Sequence, residues 1–128
     1  MDTKLRVMLI DDSKTMRNIQ RTMLTQMGFE TLEEAQDGQD ALSKLGAFRP
    51  ELILCDWNMP NLDGLEFVKQ ARSRGCTAPI IMVTTESEKT KVVTAIRAGV
   101  NNYVVKPFTQ EVLAARITET LSKVKAAA

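Results

Sequence analysis

Short apolar runs alternate with longer stretches of helical periodicity along the chain. Leu5–Ile10 is apolar and β-compatible, and Met16, Ile19, Met23 and Met27 then recur at helical spacing until Gly28 ends the pattern. Thr31–Ala35 predicts a weak edge strand, and Asp37 can cap a helix from Gly38 to about Leu45. Leu52–Cys55 reads as a third strand. From Asn58 to Gly64, Pro60, Asn61 and Asp63 mark a loop. Leu65–Arg72 is helical, with Leu65, Val68 and Ala71 on one side. Ile80–Val83 follows Pro79 as a fourth strand, and Glu88–Ala98 is a fourth helix stopped at Gly99. Tyr103–Val105 is a fifth strand. Thr109 can cap a last helix whose Leu113, Ile117, Leu121 and Val124 line one face, and residues 126–128 are expected to fray with residues 1–4.

Strands that are apolar throughout, each followed by a helix, imply a parallel sheet covered on both faces: an α/β, doubly wound architecture. The 128 residues match one domain, and no linker, repeat or low-complexity tract divides them. Apolar residues at 44% and charged residues at 26% fit an ordinary soluble domain. The net charge of +1 gives no field for nucleic acid. No apolar run spans a membrane, and the N-terminus is too short in apolar residues for a secretory signal, so a cytoplasmic setting is expected. Histidine is absent, which removes Ser-His and Cys-His catalysis and most zinc chemistry. Two cysteines, Cys55 and Cys76, have no metal spacing.

The strand ends carry the candidate chemistry. Asp11 and Asp12 follow the first strand, Asp56 the third, Thr84 the fourth and Lys106 the fifth. In open α/β sheets ligands bind beyond the carboxyl ends of the strands, where strand order reverses. With the first and third strands adjacent, all five side chains meet at one rim. Like charges 4 Å apart repel by about 4 kcal/mol at an effective dielectric of 20. A hard divalent cation resolves that repulsion, and Mg²⁺ suits a few carboxylates supplemented by water.

The ordered set LIDDSKTMR, CDWNMPNLDGLEF, IIMVTTESEK and AGVNNYVVKPFT resembles response-regulator receiver domains over nearly the whole chain, most of all the single-domain chemotaxis kind. The resemblance implies a flavodoxin-like (βα)5 fold, residues 1–128 forming one receiver with strand order 2-1-3-4-5. It implies that Asp56 accepts a phosphoryl group from a sensor histidine kinase. Asp11, Asp12, Asp56 and the Asn58 backbone carbonyl would hold Mg²⁺, while Lys106 and Thr84 contact the phosphoryl oxygens. Thr84, Tyr103 and Pro107, the last in a cis Lys106–Pro107 bond, would form the switch. Asn58 and Glu86 would tune dephosphorylation. Lys89, Val92, Tyr103 and Arg116 would face a protein target, such as a flagellar motor switch protein, from the fourth helix, fifth strand and fifth helix. A phosphatase is a further possible partner, and a monomer is expected. Ser13 departs from the pattern, standing where such receivers often carry an aromatic.

A single-domain phosphorelay intermediate would use the same residues and stays open. The remaining readings fit less well. A haloacid-dehalogenase-type phosphohydrolase would need Asp where Asn58 stands, and a cap domain. A flavodoxin-type electron carrier would need a phosphate-cradling loop where Asp11 and Asp12 would repel phosphate. A degenerate receiver serving only as a scaffold would not need the intact five-residue set.

Overall fold

The computed structural model describes residues 2–85 and 90–127. Five strands, β1 (Arg6–Ile10), β2 (Thr31–Ala35), β3 (Leu52–Asp56), β4 (Ile80–Thr84) and β5 (Asn102–Val105), alternate with five helices. The helices are α1 (Lys14–Gln26), α2 (Gly38–Phe48), α3 (Gly64–Ser73), α4 (Val92–Ala98) and α5 (Gln110–Ala127). All strand pairs are parallel, in the order β2-β1-β3-β4-β5. This is the doubly wound flavodoxin-like fold.

Alternation along the strands builds two cores. Met8, Ile10, Ile53, Cys55, Ile80 and Met82 point to one face, where Ala41 and Leu42 of α2, Phe67, Val68 and Ala71 of α3 and Ala95 of α4 cover them. Val7, Leu9, Leu52, Leu54, Ile81, Val83 and Val104 point to the other, under Leu24 of α1 and Leu113 and Ile117 of α5. Burying each such side chain contributes about 1.5–3 kcal/mol. Both sheet faces are thereby closed, and the carboxyl ends of the strands are left for chemistry.

Local rules fix the helix limits. The Ser13 hydroxyl accepts from the Met16 amide, and Asp37 and Asp63 carboxylates accept from the Asp40 and Glu66 amides. Helix α1 ends in a paired C-terminal motif: the Phe29 amide donates to the Leu24 carbonyl and Gly28, at φ 103°, to that of Thr25. Helix α2 runs three residues past Leu45, because the cap is Arg49, held left-handed at φ 53°.

Two apolar stripes differ from expectation. On α1 the residues turned fully inward are Gln20 and Leu24. Ile19 is 42% exposed, because the stripe it shares with Met16 faces the margin of the helix, not its centre. On α5, Leu113 and Ile117 are buried and Leu121 packs beside them, but Val124 lies beyond the sheet and is exposed. The expected start of the fourth helix at Glu88 lies outside the described residues, as do Glu86 and Lys89. So do Met1 and Ala128 among the ends expected to fray.

Edge strand β2 carries Glu33 and Glu34 half-buried beneath cations. Arg17 and Arg21 donate to the two oxygens of Glu34 at 2.9 and 2.8 Å, and Lys44 lies 3.9 Å from Glu33.

Candidate functional site

Register brings the acids together. Ile10 pairs with Cys55, so Asp11 and Asp56, one step further along, sit side by side past the β1–β3 reversal. Carboxylate oxygens of Asp11, Asp12 and Asp56 lie within 4.8 Å of one another. Asp11 is 1% exposed, Asp56 is buried and Asp12 faces solvent. Lys106 reaches across from the end of β5. Its Nζ lies 3.0 Å from Asp56 Oδ1 and 3.3 Å from Asp11 Oδ2. The Lys106 amide donates to the Thr84 carbonyl at 2.7 Å, which ties β5 to β4 at this rim. The Lys106–Pro107 peptide is cis.

The electrostatics follow from burial. Loss of solvent is the largest influence on Asp56; with the neighbouring Asp11 charge it outweighs Lys106 and pushes the carboxyl from 3.8 up to about 6. Burial alone would lower the Lys106 ammonium. Its hydrogen bond to Asp56 and the charges of Asp56 and Asp11 reverse that and raise it. One cation thus faces two buried carboxylates, and negative charge remains in excess. Cys55, next in the strand, is pushed well up by burial and then by the acids, so it is a small neutral filler and not a thiolate.

The β3–α3 loop, residues 57–63, is latched at both ends. The Gly64 amide donates to the Trp57 carbonyl and the Gly38 amide to that of Leu62. Asn61, at φ 67°, donates to Asp37, whose carboxyl is held below the ordinary range by its bonds from the Asp40 amide and from Asn61. Both glycines are needed for close approach: a Cβ at Gly64 would lie 2.3 Å from the Asp56 carbonyl oxygen, and one at Gly38 2.6 Å from that of Leu62. Trp57 packs into the core below the loop, and Asn58 is exposed immediately after it.

Thr84 ends β4 at the same rim. It is 0% exposed, and its hydroxyl finds no hydrogen-bond partner among the described residues. A buried hydroxyl without a partner is costly, so it marks a place where an incoming acceptor is favoured. Hard oxygen donors, one of them open to solvent, together with that hydroxyl suit a hard divalent cation and a phosphoryl group.

Tyr103 is half-buried on β5, with the Arg116 guanidinium 5.7 Å from its ring centroid. Val92 is buried against the core, unlike the outward position expected for it. Val92 and Ala95, three residues apart on one helical face, turn inward, and Val93 and Ile96 are exposed instead. Arg72 had no signal in the sequence beyond its place at the end of a helix. Its guanidinium donates to the Cys76, Ala78 and Gly99 carbonyls and to Asn101, joining α3 and β4 to the end of α4.

The sequence matches the response regulator receiver domain over residues 7–118. The chain belongs to the response regulator receiver family. This receiver is 45% identical over 120 residues to the chemotaxis protein CheY1 of Helicobacter pylori (strain ATCC 700392 / 26695), covering 91% of this chain and 97% of that protein. It is 43% identical over 120 residues to a chemotaxis protein CheY homolog of Campylobacter jejuni, covering 91% and 92%. Chemotaxis response regulator CheY4 of Vibrio cholerae superposes with a TM-score of 0.85 at 34% identity, over 92% of this chain and 99% of that one. The receiver is therefore of the CheY type, in a signalling family that works by phosphorylation. Among the described residues no helix is long and apolar enough to cross a membrane.

Proposed function

We propose that this receiver takes a phosphoryl group onto Asp56 in an Mg²⁺-dependent reaction and thereby switches the surface formed by α4, β5 and α5. The observation that carries the reading is Lys106 Nζ seated between Asp56 and Asp11, with Asp12 alongside. Asp11, Asp12, Asp56 and the Asn58 carbonyl would hold Mg²⁺, whose chemistry is to neutralise charge on the transferring phosphoryl oxygens.

An Asp56 carboxylate oxygen attacks phosphorus, a new O–P bond forms, and the bond to the donor breaks with its electron pair leaving on the donor. The donor is the phosphohistidine of a kinase or a small acyl phosphate. Lys106 moves its hydrogen bond from the carboxylate to a phosphoryl oxygen, and the Thr84 hydroxyl donates to another. Water attacking the same phosphorus breaks the O–P bond to Asp56, releases inorganic phosphate and restores the carboxylate, and this reading assigns Asn58 and Glu86 to the tuning of that step. Drawing Thr84 toward the phosphoryl group favours an inward Tyr103. Phosphorylation selects that arrangement only as far as the two states differ in phosphoryl affinity.

The outward side chains of the responsive surface are Val93 and Ile96, with Tyr103 and Arg116 half-buried; Lys89 is assigned to it from the sequence alone. A chemotaxis-type histidine kinase upstream, a motor-switch protein downstream and a phosphatase are the partners this reading assigns. Residues 1–128 act as one cytoplasmic, monomeric receiver.

The test is incubation with Mg²⁺ and acetyl phosphate, read as intact mass. The wild type gains one phosphoryl adduct and Asp56→Asn gains none; an unmodified wild type refutes the proposal. Capture of partners by the beryllofluoride-loaded protein, compared with the unloaded protein, identifies the target.

A further inference from the structure

Arg17 donates from Nη1 to the Asp11 carbonyl oxygen at 2.6 Å and from Nε to Glu34 at 2.9 Å. Glu34 is gripped from its other oxygen by Arg21 at 2.8 Å, so the anchor is fixed to edge strand β2. The Asp11 amide donates to Ala35 on the same strand at 3.1 Å. The peptide joining Asp11 to Asp12 is planar, and its plane is defined by the Asp11 carbonyl. Holding that oxygen, with the Asp11 amide of the preceding peptide also held, fixes where the Asp12 Cα sits. The next residue is tied too: the Ser13 amide donates to Asp11 Oδ1 at 2.9 Å. Asp12 itself is exposed, so its side chain lacks the packing that holds Asp11 and Asp56.

We propose that Arg17 is a positioning residue for the acid pocket: it fixes the Asp11–Asp12 peptide so that the Asp12 carboxylate meets those of Asp11 and Asp56 around one cation. This rests on the Mg²⁺ reading above. Arg17 touches none of the three carboxylates and acts through the backbone. A fork geometry is required, because one donor must face the carbonyl while another faces Glu34; a lysine ammonium on a flexible stem does not pre-organise both.

Charge and position make opposite demands, which makes the role testable. A guanidinium near the pocket repels Mg²⁺, so if Arg17 acted by charge alone its removal would tighten binding. As a positioning residue, its removal weakens binding, by roughly 10-fold or more, as for other groups that orient metal ligands. Arg21 is the matched control: it carries the same charge to the same Glu34 and makes no bond to Asp11.

The experiment is calorimetric titration of Mg²⁺ into wild type, Arg17→Met, Arg17→Lys and Arg21→Met, each checked for folding by Trp57 fluorescence and circular dichroism at the titration temperature. The expected result is roughly 10-fold weaker binding in Arg17→Met, incomplete recovery in Arg17→Lys, and unchanged or tighter binding in Arg21→Met. Folded Arg17→Met that binds as tightly as wild type or tighter overturns the positioning role. Equal weakening in Arg21→Met overturns it as well, because loss of the β2 anchor would then suffice. A wild type that binds no Mg²⁺ removes the metal reading and this proposal together. Should Arg17→Met not fold, Arg17→Lys with wild-type affinity is the overturning result and weaker binding the supporting one.

Discussion

Replacing Asp56 by Asn should stabilise the metal-free protein at neutral pH. The carboxyl sits at about 6 in the folded chain against an ordinary value of 3.8. Below 3.8 it is protonated in both states and its contribution to stability is fully present. As pH rises toward 6 the unfolded chain releases the proton while the folded one keeps it, so stability falls. Above 6 the loss is complete. The difference of about two pKa units corresponds to about 3 kcal/mol. Asn resembles the protonated carboxyl in shape and lack of charge, so it escapes that loss. The expected gain at pH 7.5 is at most about 3 kcal/mol, with solvent screening of the partly open carboxyl lowering it, or up to about 10 °C in thermal midpoint for a domain of this size. At pH 4 the gain should be close to zero. The assay is urea unfolding followed by the single tryptophan, Trp57, in EDTA at both pH values. Saturating Mg²⁺ should narrow the gap by stabilising only the wild type. A gain that is absent at pH 7.5, or equal at pH 4 and 7.5, refutes the reasoning.

Thr84→Val removes a buried hydroxyl without a partner, so the metal-free protein should gain about 1 kcal/mol in urea unfolding; a clear loss would mean that the hydroxyl is bonded. Lys106→Met should slow acetyl phosphate labelling by roughly 100-fold and carry the Asp56 carboxyl above about 6. A mass time course and carboxyl ¹³C titration test the two effects, and a labelling rate within twofold of wild type contradicts the role of Lys106. Gly64→Ala drives a methyl to 2.3 Å from the Asp56 carbonyl oxygen and should cost about 1–3 kcal/mol, an unchanged urea midpoint being the contrary result.

The three inner strands β1, β3 and β4 were the most legible part of the sequence, because burial on both faces makes them apolar almost throughout. The acids at their ends could be read as one site only because parallel strands deliver all their carboxyl ends to one rim. What stayed hidden was interaction between polar groups distant in sequence. Nothing near Arg72 shows that it will grip the Gly99 carbonyl, and nothing near Arg17 shows that it will hold Asp11. Gly64 reads as loop punctuation, and its close approach to Asp56 depends on a packing distance that no pattern encodes. Val92 is expected outward from the resemblance, but it shares the inward face of α4 with Ala95. The α1 stripe fails for a related reason: periodicity gives the spacing of a face and not the direction of its centre.

The charge borne by β2 has a consequence for the company this molecule keeps. A strand from another copy, pairing along that edge, would bring its own side chains against Arg17, Arg21, Lys44 and the carboxylates they hold. Charged edges of this kind resist templated sheet growth. At β2, crowding with further copies of the molecule meets a charged border and not a bare template.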